Sequence, residues 1–233
     1  MSAYFVTATG TGIGKTYVTA GLVRHWRSEG IAVAALKPVI SGFGNARESD
    51  SGVLLEAMGE AVNEETVARI SPWRFAAPLS PDMAAAREGR EVDFEALLAY
   101  CRNSVAAARG PLLIEGVGGV MVPLDGRHTV LDWMAQLGLP AILVAGSYLG
   151  TLSHTLTAAQ ALSRAGVGIA ALVLNDSGDG AVPVADTRAS LKRFLPDSPI
   201  ALLARAREAA RADFARLAEL LSDGRQAQKV RRR

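Results

Sequence analysis

The sequence predicts an α/β protein built on an open, doubly wound and mostly parallel sheet. Three observations predict it. Short apolar runs alternate with longer amphipathic stretches along the chain. Most of those runs are continuously apolar, as strands buried on both faces of a parallel sheet require. Polar or glycine-rich turns follow the runs, on the edge where such sheets bind ligands. The 233 residues are 49% hydrophobic and 21% charged, enough for a sizeable core. One domain over 1–225 with a basic tail over 226–233 is the simplest division.

In chain order the expected strands are Tyr4–Ala8, Val33–Lys37, Leu112–Glu115, Ala141–Ala145 and Ala170–Leu174, with a weaker one at Ile200–Leu203. Helices are expected over Lys15–Glu29, Ser51–Met58, Pro81–Glu88, Asp93–Ala108, Val130–Gln136, Thr151–Ala165, Thr187–Phe194 and Ala206–Leu221. Ser80 before Pro81 and Asp186 before Thr187 have N-cap chemistry. Gly30, Gly138 and Gly166 stand where helices stop.

Several function classes are disfavoured. The formal net charge is +2, and much of the excess sits in Lys229 and Arg231 to Arg233, so composition gives no case for nucleic acid. The single cysteine, Cys101, allows no intrachain disulfide and reads as a buried, inert thiol in a helix. No apolar run approaches the ~18 residues of a membrane span, and no signal-like leader stands at the start, so the cytoplasm is the expected location. His25, His128 and His154 are too scattered for a metal cluster or triad, and no nucleophile elbow or paired-cysteine spacing occurs. Trp26, Trp73 and Trp133 read as packing residues.

The most informative stretch is Gly10-Thr11-Gly12-Ile13-Gly14-Lys15-Thr16, between the first strand and the first helix. Glycines let successive backbone N–H groups turn toward one anion, and the helix N-terminus adds its dipole. Lys15 can reach β- and γ-phosphates, and the Thr16 hydroxyl can ligate Mg²⁺. The usual pattern has glycine where Thr9 stands, so this is a variant phosphate loop in a P-loop NTPase architecture. A dinucleotide fingerprint fits worse, because it needs glycine where Lys15 stands.

Other strand ends add to it. Lys37 closes an apolar run and leads into Pro38-Val39-Ile40-Ser41-Gly42. It reads either as a snorkelling lysine or as a second cation facing a polyphosphate. Glu115 ends Leu112-Leu113-Ile114 and opens Gly116-Val117-Gly118-Gly119, a place for a Mg²⁺ ligand beside glycines that admit a ligand to the backbone. Asp50, alone, reads as an N-cap. Asn175 begins an Asn-Asp turn and carries an amide able to pair with an adenine edge. Gly150-Thr151 opens a helix whose free N–H groups suit a carboxylate.

Taken together, these residues resemble dethiobiotin synthetases, the ATP-dependent ring-closing ligases of biotin synthesis. The resemblance runs through the start of the first strand, the phosphate loop, Lys37-Pro-Val-Ile-Ser-Gly, Pro78-Leu-Ser-Pro81, Glu115-Gly-Val-Gly-Gly, Leu149-Gly-Thr-Leu-Ser-His154 and Asn175-Asp176, about residues 3 to 176. It implies conversion of 7,8-diaminononanoate, CO₂ and ATP to dethiobiotin, ADP and phosphate. It implies Mg²⁺ on Thr16, Asp50 and Glu115, and phosphates wrapped by Gly12, Ile13, Gly14, Lys15, Thr16 and Tyr17. Lys15 and Lys37 would stabilise the carbamate and the transferring phosphoryl group. Glu115, Gly116, Val117, Gly118 and Asn175 would border the nucleotide. Thr11 and Ser41 would contact substrate, and Gly150 and Thr151 would receive its carboxylate across a homodimer interface. Two departures stand out. Ala201-Leu202-Leu203-Ala204-Arg205-Ala206 lacks the glycine and proline usual beside adenine, so no role is carried over there. Ser153 stands where asparagine is common.

A different class, the ParA/MinD-type partition or positioning ATPases, shares the variant loop. Those proteins typically carry a lysine early in it, where this chain has Ala8-Thr9. The synthetase domain of an amidotransferase is a third reading, against which stands the lack of a glutaminase nucleophile.

Overall fold

The computed structural model describes residues 2–176, 182–204 and 211–222. The elements run β1 (Ala3–Ala8), α1 (Lys15–Ser28), β2 (Ala34–Leu36), β3 (Val39–Ser41), α2 (Asp50–Met58), α3 (Glu64–Ile70), β4 (Trp73–Phe75), α4 (Pro81–Arg87), α5 (Phe94–Ala107), β5 (Leu112–Glu115), α6 (Val130–Leu137), β6 (Ala141–Gly146), α7 (Thr151–Arg164), β7 (Ile169–Asn175), α8 (Val184–Phe194) and β8 (Ile200–Leu203). A last helix, α9, spans 211–222.

Six strands form one parallel sheet in the order β2-β5-β1-β6-β7-β8. β1 is central, and Tyr4 to Ala8 are all buried, so its side chains meet core on both faces. On one face Phe5 meets Trp133 of α6 edge to face, with ring centroids 4.7 Å apart. Such a pair adds about 1 kcal/mol to what area burial alone contributes. On α1, Gly21 leaves the space that Phe214 of α9 fills; a Cβ there would stand 1.9 Å from the ring. The chain winds from β1 out to β2, returns to β5, then crosses β1 to β6. The winding reverses there, and a crevice opens beyond the carboxyl ends of β1, β5 and β6.

The expected strands and helices are present; nearly half of their described ends are unchanged and the others move by one residue, apart from the start of α8. Three differences have a physical cause. Lys37 lies beyond β2: its N–H donates to Ile70 O (3.1 Å), and Pro38, lacking an N–H, ends the ladder. The chain then starts afresh, and β3 pairs with β4 in a separate two-stranded parallel sheet, Val39 opposite Trp73. Three-residue strands are too short to show a period. α3 is also unforeseen, because its seven residues carry a weak apolar stripe. A capping box starts it, in which Asn63 accepts from Thr66 N and Thr66 serves the Asn63 N–H. α8 begins three residues before the expected Thr187, with Pro183 at its N-cap. Asp186 therefore sits inside the first turn, where its charge complements the helix dipole rather than capping. The expected start at Ala206 and the basic tail over 226–233 lie outside the described residues.

Candidate active site

The phosphate loop leaves β1 and enters α1 through Gly14, whose φ of 103° is left-handed. A Cβ at Gly14 would meet Asn175 Nδ2 at 2.3 Å. That close approach lets the Asn175 amide donate to Ile13 O at 3.0 Å, tying the loop to the end of β7. No side chain caps α1, so the N–H groups of its first turn remain as donors for an anion.

Lys15 Nζ folds back onto the loop's neighbours. It donates to Gly118 O at 2.6 Å and lies 3.4 Å from Gly10 O. Burial and the nearby Lys37 ammonium push its pKa down to about 8, against the pull of Glu115 and Asp50. Lys37 is buried as well, 2.8 Å from Glu115 Oε1, 3.0 Å from Asp50 Oδ2 and 2.8 Å from Gly116 O. Burial alone would lower its pKa; the two carboxylates more than offset that and hold it above the ordinary lysine value. Lys37 is therefore no snorkelling strand end, but the shared counter-ion of two carboxylates.

Glu115 is wholly buried. Asp50 is free to join it because Ser49, not Asp50, caps α2: Ser49 Oγ accepts from Gly52 N at 3.1 Å. The N-cap reading of Asp50 is thus corrected by one residue. Burial works to raise the Asp50 pKa, but Lys37 and the Thr16 hydroxyl hold it below the ordinary carboxylate range.

Thr16 Oγ1 stands 2.8 Å from Asp50 Oδ1 and 2.7 Å from Glu115 Oε1. One hydroxyl proton cannot satisfy two carboxylate oxygens at once. Glu115 Oε2 is buried and has no partner among the described residues. Hard oxygens converging with an unmet acceptor suit Mg²⁺, which takes one or two carboxylates beside substrate phosphates. Among the described residues no three His, Cys, Asp or Glu side chains converge, so a two-carboxylate, one-hydroxyl set is the cation site on offer.

A cavity of about 570 Å³ opens over this cluster. Thr11, Gly12, Gly14, Lys15, Thr16, Lys37, Ser41, Asp50, Val117 and Gly118 line it, from the residues singled out in the sequence. The rest of its wall is Ile40, Pro78, Leu79, Ser80, Pro81 and Val122. The part that wall plays was not foreseen, although the pair of prolines at 78 and 81 marks a stiff turn. The glycines of the Glu115 turn also have packing partners. Gly116 makes room for Phe5, 2.8 Å from where its Cβ would lie, and Gly118 makes room for Val122. Both glycines allow close packing of the turn, Gly118 lines the cavity as well, and the carbonyls of Gly116 and Gly118 hold the two lysines.

Other predicted residues stand outside the lining. Tyr17 packs on Phe214 of α9, with ring centroids 5.5 Å apart. Gly150 is the N-cap of α7, at φ 97°. Thr151 is spoken for: its N–H donates to Tyr148 O (3.1 Å) and its buried hydroxyl to Gly146 O (2.7 Å). An anion at this helix end would therefore meet the N–H groups further along the first turn, not the Thr151 hydroxyl. Beside it, Tyr148 Oη and His154 Nδ1 lie 2.9 Å apart. Cys101 is buried and its thiol is pushed up to about 12 by that burial, as an inert residue should be.

A family model described as an AAA domain matches residues 2–209. The chain is 55% identical over 202 residues to the ATP-dependent dethiobiotin synthetase of Acidiphilium cryptum, covering 85% of this chain and 91% of that one. The chain belongs to the dethiobiotin synthetase family. The synthetase of Methylobacterium nodulans is 49% identical over 190 residues, covering 78% and 84%. That of a Caulobacter species is 45% identical over 208 residues, covering 88% and 89%. Solved structures similar to this one include the cell division ATPase MinD of Pyrococcus furiosus, at TM-score 0.54 and 18% identity over 96% of this chain and 99% of that one. The hydrogenase maturation factor HypB of Archaeoglobus fulgidus has TM-score 0.57 and 14% identity over 95% and 90%. These likenesses are of fold, the P-loop NTPase architecture that the synthetase family shares with them.

Proposed function

We propose that this chain closes the ureido ring of dethiobiotin from 7,8-diaminononanoate and CO₂ at the expense of ATP, forming ADP and phosphate. One observation carries the reading: a chain 55% identical to a dethiobiotin synthetase gathers Lys15, Lys37, Thr16 and Asp50 on one cavity, with Glu115 buried against Lys37 and Thr16.

The chemistry asks for these residue types. One amine adds to CO₂ and loses a proton, giving a carbamate. The carbamate oxygen takes the γ-phosphoryl group and ADP leaves. The second amine attacks the carbonyl carbon of the mixed anhydride, phosphate departs, and a five-membered ring closes. Negative charge grows on oxygen in each step, so fixed cations and N–H donors can carry catalysis through positioning and electrostatics, without a covalent nucleophile. Lys15 serves the β- and γ-phosphates from the loop. Lys37, across from it, serves the carbamate and the transferring phosphoryl oxygens. Thr16, Asp50 and Glu115 would hold Mg²⁺, which when bound neutralises phosphate charge.

Ser41 and Thr11 border the diamine, and Asn175 with the Glu115 turn borders the nucleotide. Gly150 and the first turn of α7 receive the substrate carboxylate from a second copy of the chain, so the working unit is a homodimer. Support for the last point is that Gly150 lies off the cavity while the substrate must span a carboxylate site and the phosphates together. The cytoplasm is the proposed location; among the described residues no helix is long and apolar enough to cross a membrane.

An assay with ATP, Mg²⁺, bicarbonate and 7,8-diaminononanoate, following dethiobiotin by mass, tests the reading. ATP turnover that ignores the diamine and forms no dethiobiotin would overturn it in favour of a nucleotide-switched ATPase.

A further inference from the structure

The apolar wall of the cavity is carried on an excursion of the chain that is closed at its base. From Ala76 the backbone passes through Pro78, Leu79, Ser80 and Pro81, runs along α4, and returns at Glu88. There Glu88 Oε1 accepts from Ala76 N at 2.7 Å. Two residues on, Arg90 Nη1 donates to Arg74 O at 3.1 Å and to Glu88 Oε2 at 2.9 Å. Its guanidinium also lies over the Phe75 ring, 4.8 Å from the centroid. Gly89, at φ 63°, makes the turn that aims Glu88 and Arg90 at the same strand.

The other side of the excursion is held by backbone. Gly42 N donates to Ala77 O (3.0 Å) and Phe43 N to Phe75 O (2.9 Å). Ser41, just before them, lines the cavity. The wall therefore hangs between a short backbone ladder on the inside and a side-chain clasp on the outside. Closing a loop at its base removes conformational freedom from everything the loop carries.

We propose that Glu88 and Arg90, which do not line the cavity, are positioning residues for the diamine substrate: their clasp on Arg74 to Ala76 sets the place of the Pro78–Pro81 wall. The proposal rests on the diamine reading above. The wall's partners in the cavity are Ile40 and Val122, an apolar face suited to an alkyl chain, whereas the glycine loop and the lysines suit phosphates. The clasp therefore acts on the diamine and not on ATP.

Steady-state kinetics of the full chain tests this. For Glu88→Ala, the KM for 7,8-diaminononanoate should rise about threefold to tenfold, with the KM for ATP and kcat within about twofold of wild type. Glu88→Gln, which keeps an oxygen for the Ala76 N–H, should recover most of the loss; Arg90→Ala should fall between them. Amide exchange over residues 76–82 should quicken in Glu88→Ala and not in Glu88→Gln. An unchanged diamine KM in Glu88→Ala overturns the proposal, and so does an equal rise for ATP and diamine. A wild-type chain that forms no dethiobiotin removes the underlying reading instead, and that is seen before any variant is made.

Discussion

The charged centre and the entrance to α7 are built in opposite ways. In the centre, Lys37, Asp50, Glu115 and Thr16 come from four separate segments, and their contacts join residues up to 99 positions apart. At the α7 entrance, Thr151 bonds to Tyr148 and Gly146, and Tyr148 to His154, all within nine residues of chain. Leu149 at the tip is 84% exposed. The first region is held by tertiary structure and helps hold it in return. The second is built mostly from local bonds and presents a helix end outward; its longer-range ties are Tyr148 Oη, 3.4 Å from Thr9 Oγ1, and Ser147 Oγ, which donates to Asp176 Oδ1 at 3.2 Å. Changes in the centre should therefore cost stability and turnover together, and changes at the entrance should cost only recognition.

Lys37→Met should have the largest effect. It leaves Glu115 buried beside Asp50 without their shared cation, and breaking a buried ion pair from one side costs about 3 kcal/mol or more. Thermal unfolding should shift down by several degrees, and turnover should fall at least ~10³-fold. A variant as stable as wild type would break the comparison at its first term. Lys15→Ala comes next. Lys15 is held by two carbonyls, and among the described residues it has no carboxylate partner within bonding reach. Turnover should drop about 10²- to 10³-fold while unfolding and circular dichroism stay near wild type. Equal destabilisation by both lysine variants would mean that the centre is one cooperative unit.

The same contrast explains what could be read from sequence. Lys37 and Glu115 are legible because a charge that ends an apolar run must find a partner inside. The phosphate loop is legible because its glycines, lysine and hydroxyl recur at fixed spacing. Asp50 is not legible alone: Ser49 and Asp50 are both good caps, and only the contact with Thr16 and Lys37 decides which one caps α2. The Pro78–Pro81 wall escapes because β3 and β4, which bring it to the cavity, have three residues each and pair with one another rather than with the main sheet. The bonds of Thr151 are not legible, because a helix N-terminus predicts free N–H groups without saying which residues the preceding turn consumes.

At the α7 entrance a smaller effect is expected. Ser153 is exposed in the first turn of α7. Ser153→Glu should repel a substrate carboxylate and raise the diamine KM about five- to tenfold, leaving the ATP KM and the unfolding midpoint alone. In a shared site, an inactive Lys15 variant mixed with an inactive Gly150 variant should regain activity, because one hybrid site is intact. No recovery after exchange of subunits, or a fully active monomer in sedimentation, would remove the homodimer from the account.

The smallest effect is a proton count, and it sharpens the difference between Lys37 of the centre and Lys15 beside it. Lys15 sits at about 8 because burial and Lys37 disfavour its charge, whereas Lys37 is held above the ordinary value by its carboxylates. Between about 8 and the unfolded value of 10.5, the unfolded chain binds more protons at Lys15 than the folded one. Stability from this residue therefore rises with pH across that window. For Lys37 the sign is opposite: its contribution is complete below 10.5 and is lost as pH rises through its folded value. A polyphosphate beside Lys15 favours the ammonium, so ATP binding above pH 8 should take up a proton. At pH 8.5 a group titrating near 8 is about three-quarters neutral, which sets the expected uptake at about 0.7 proton. Affinity should be about fourfold weaker at pH 8.5 than at pH 7 from this cause. Calorimetry in two buffers of different ionisation enthalpy measures the uptake. Lys15→Arg, charged at every pH used, should abolish it. Uptake that persists in the arginine variant would assign the proton to another group and leave Lys15 charged throughout.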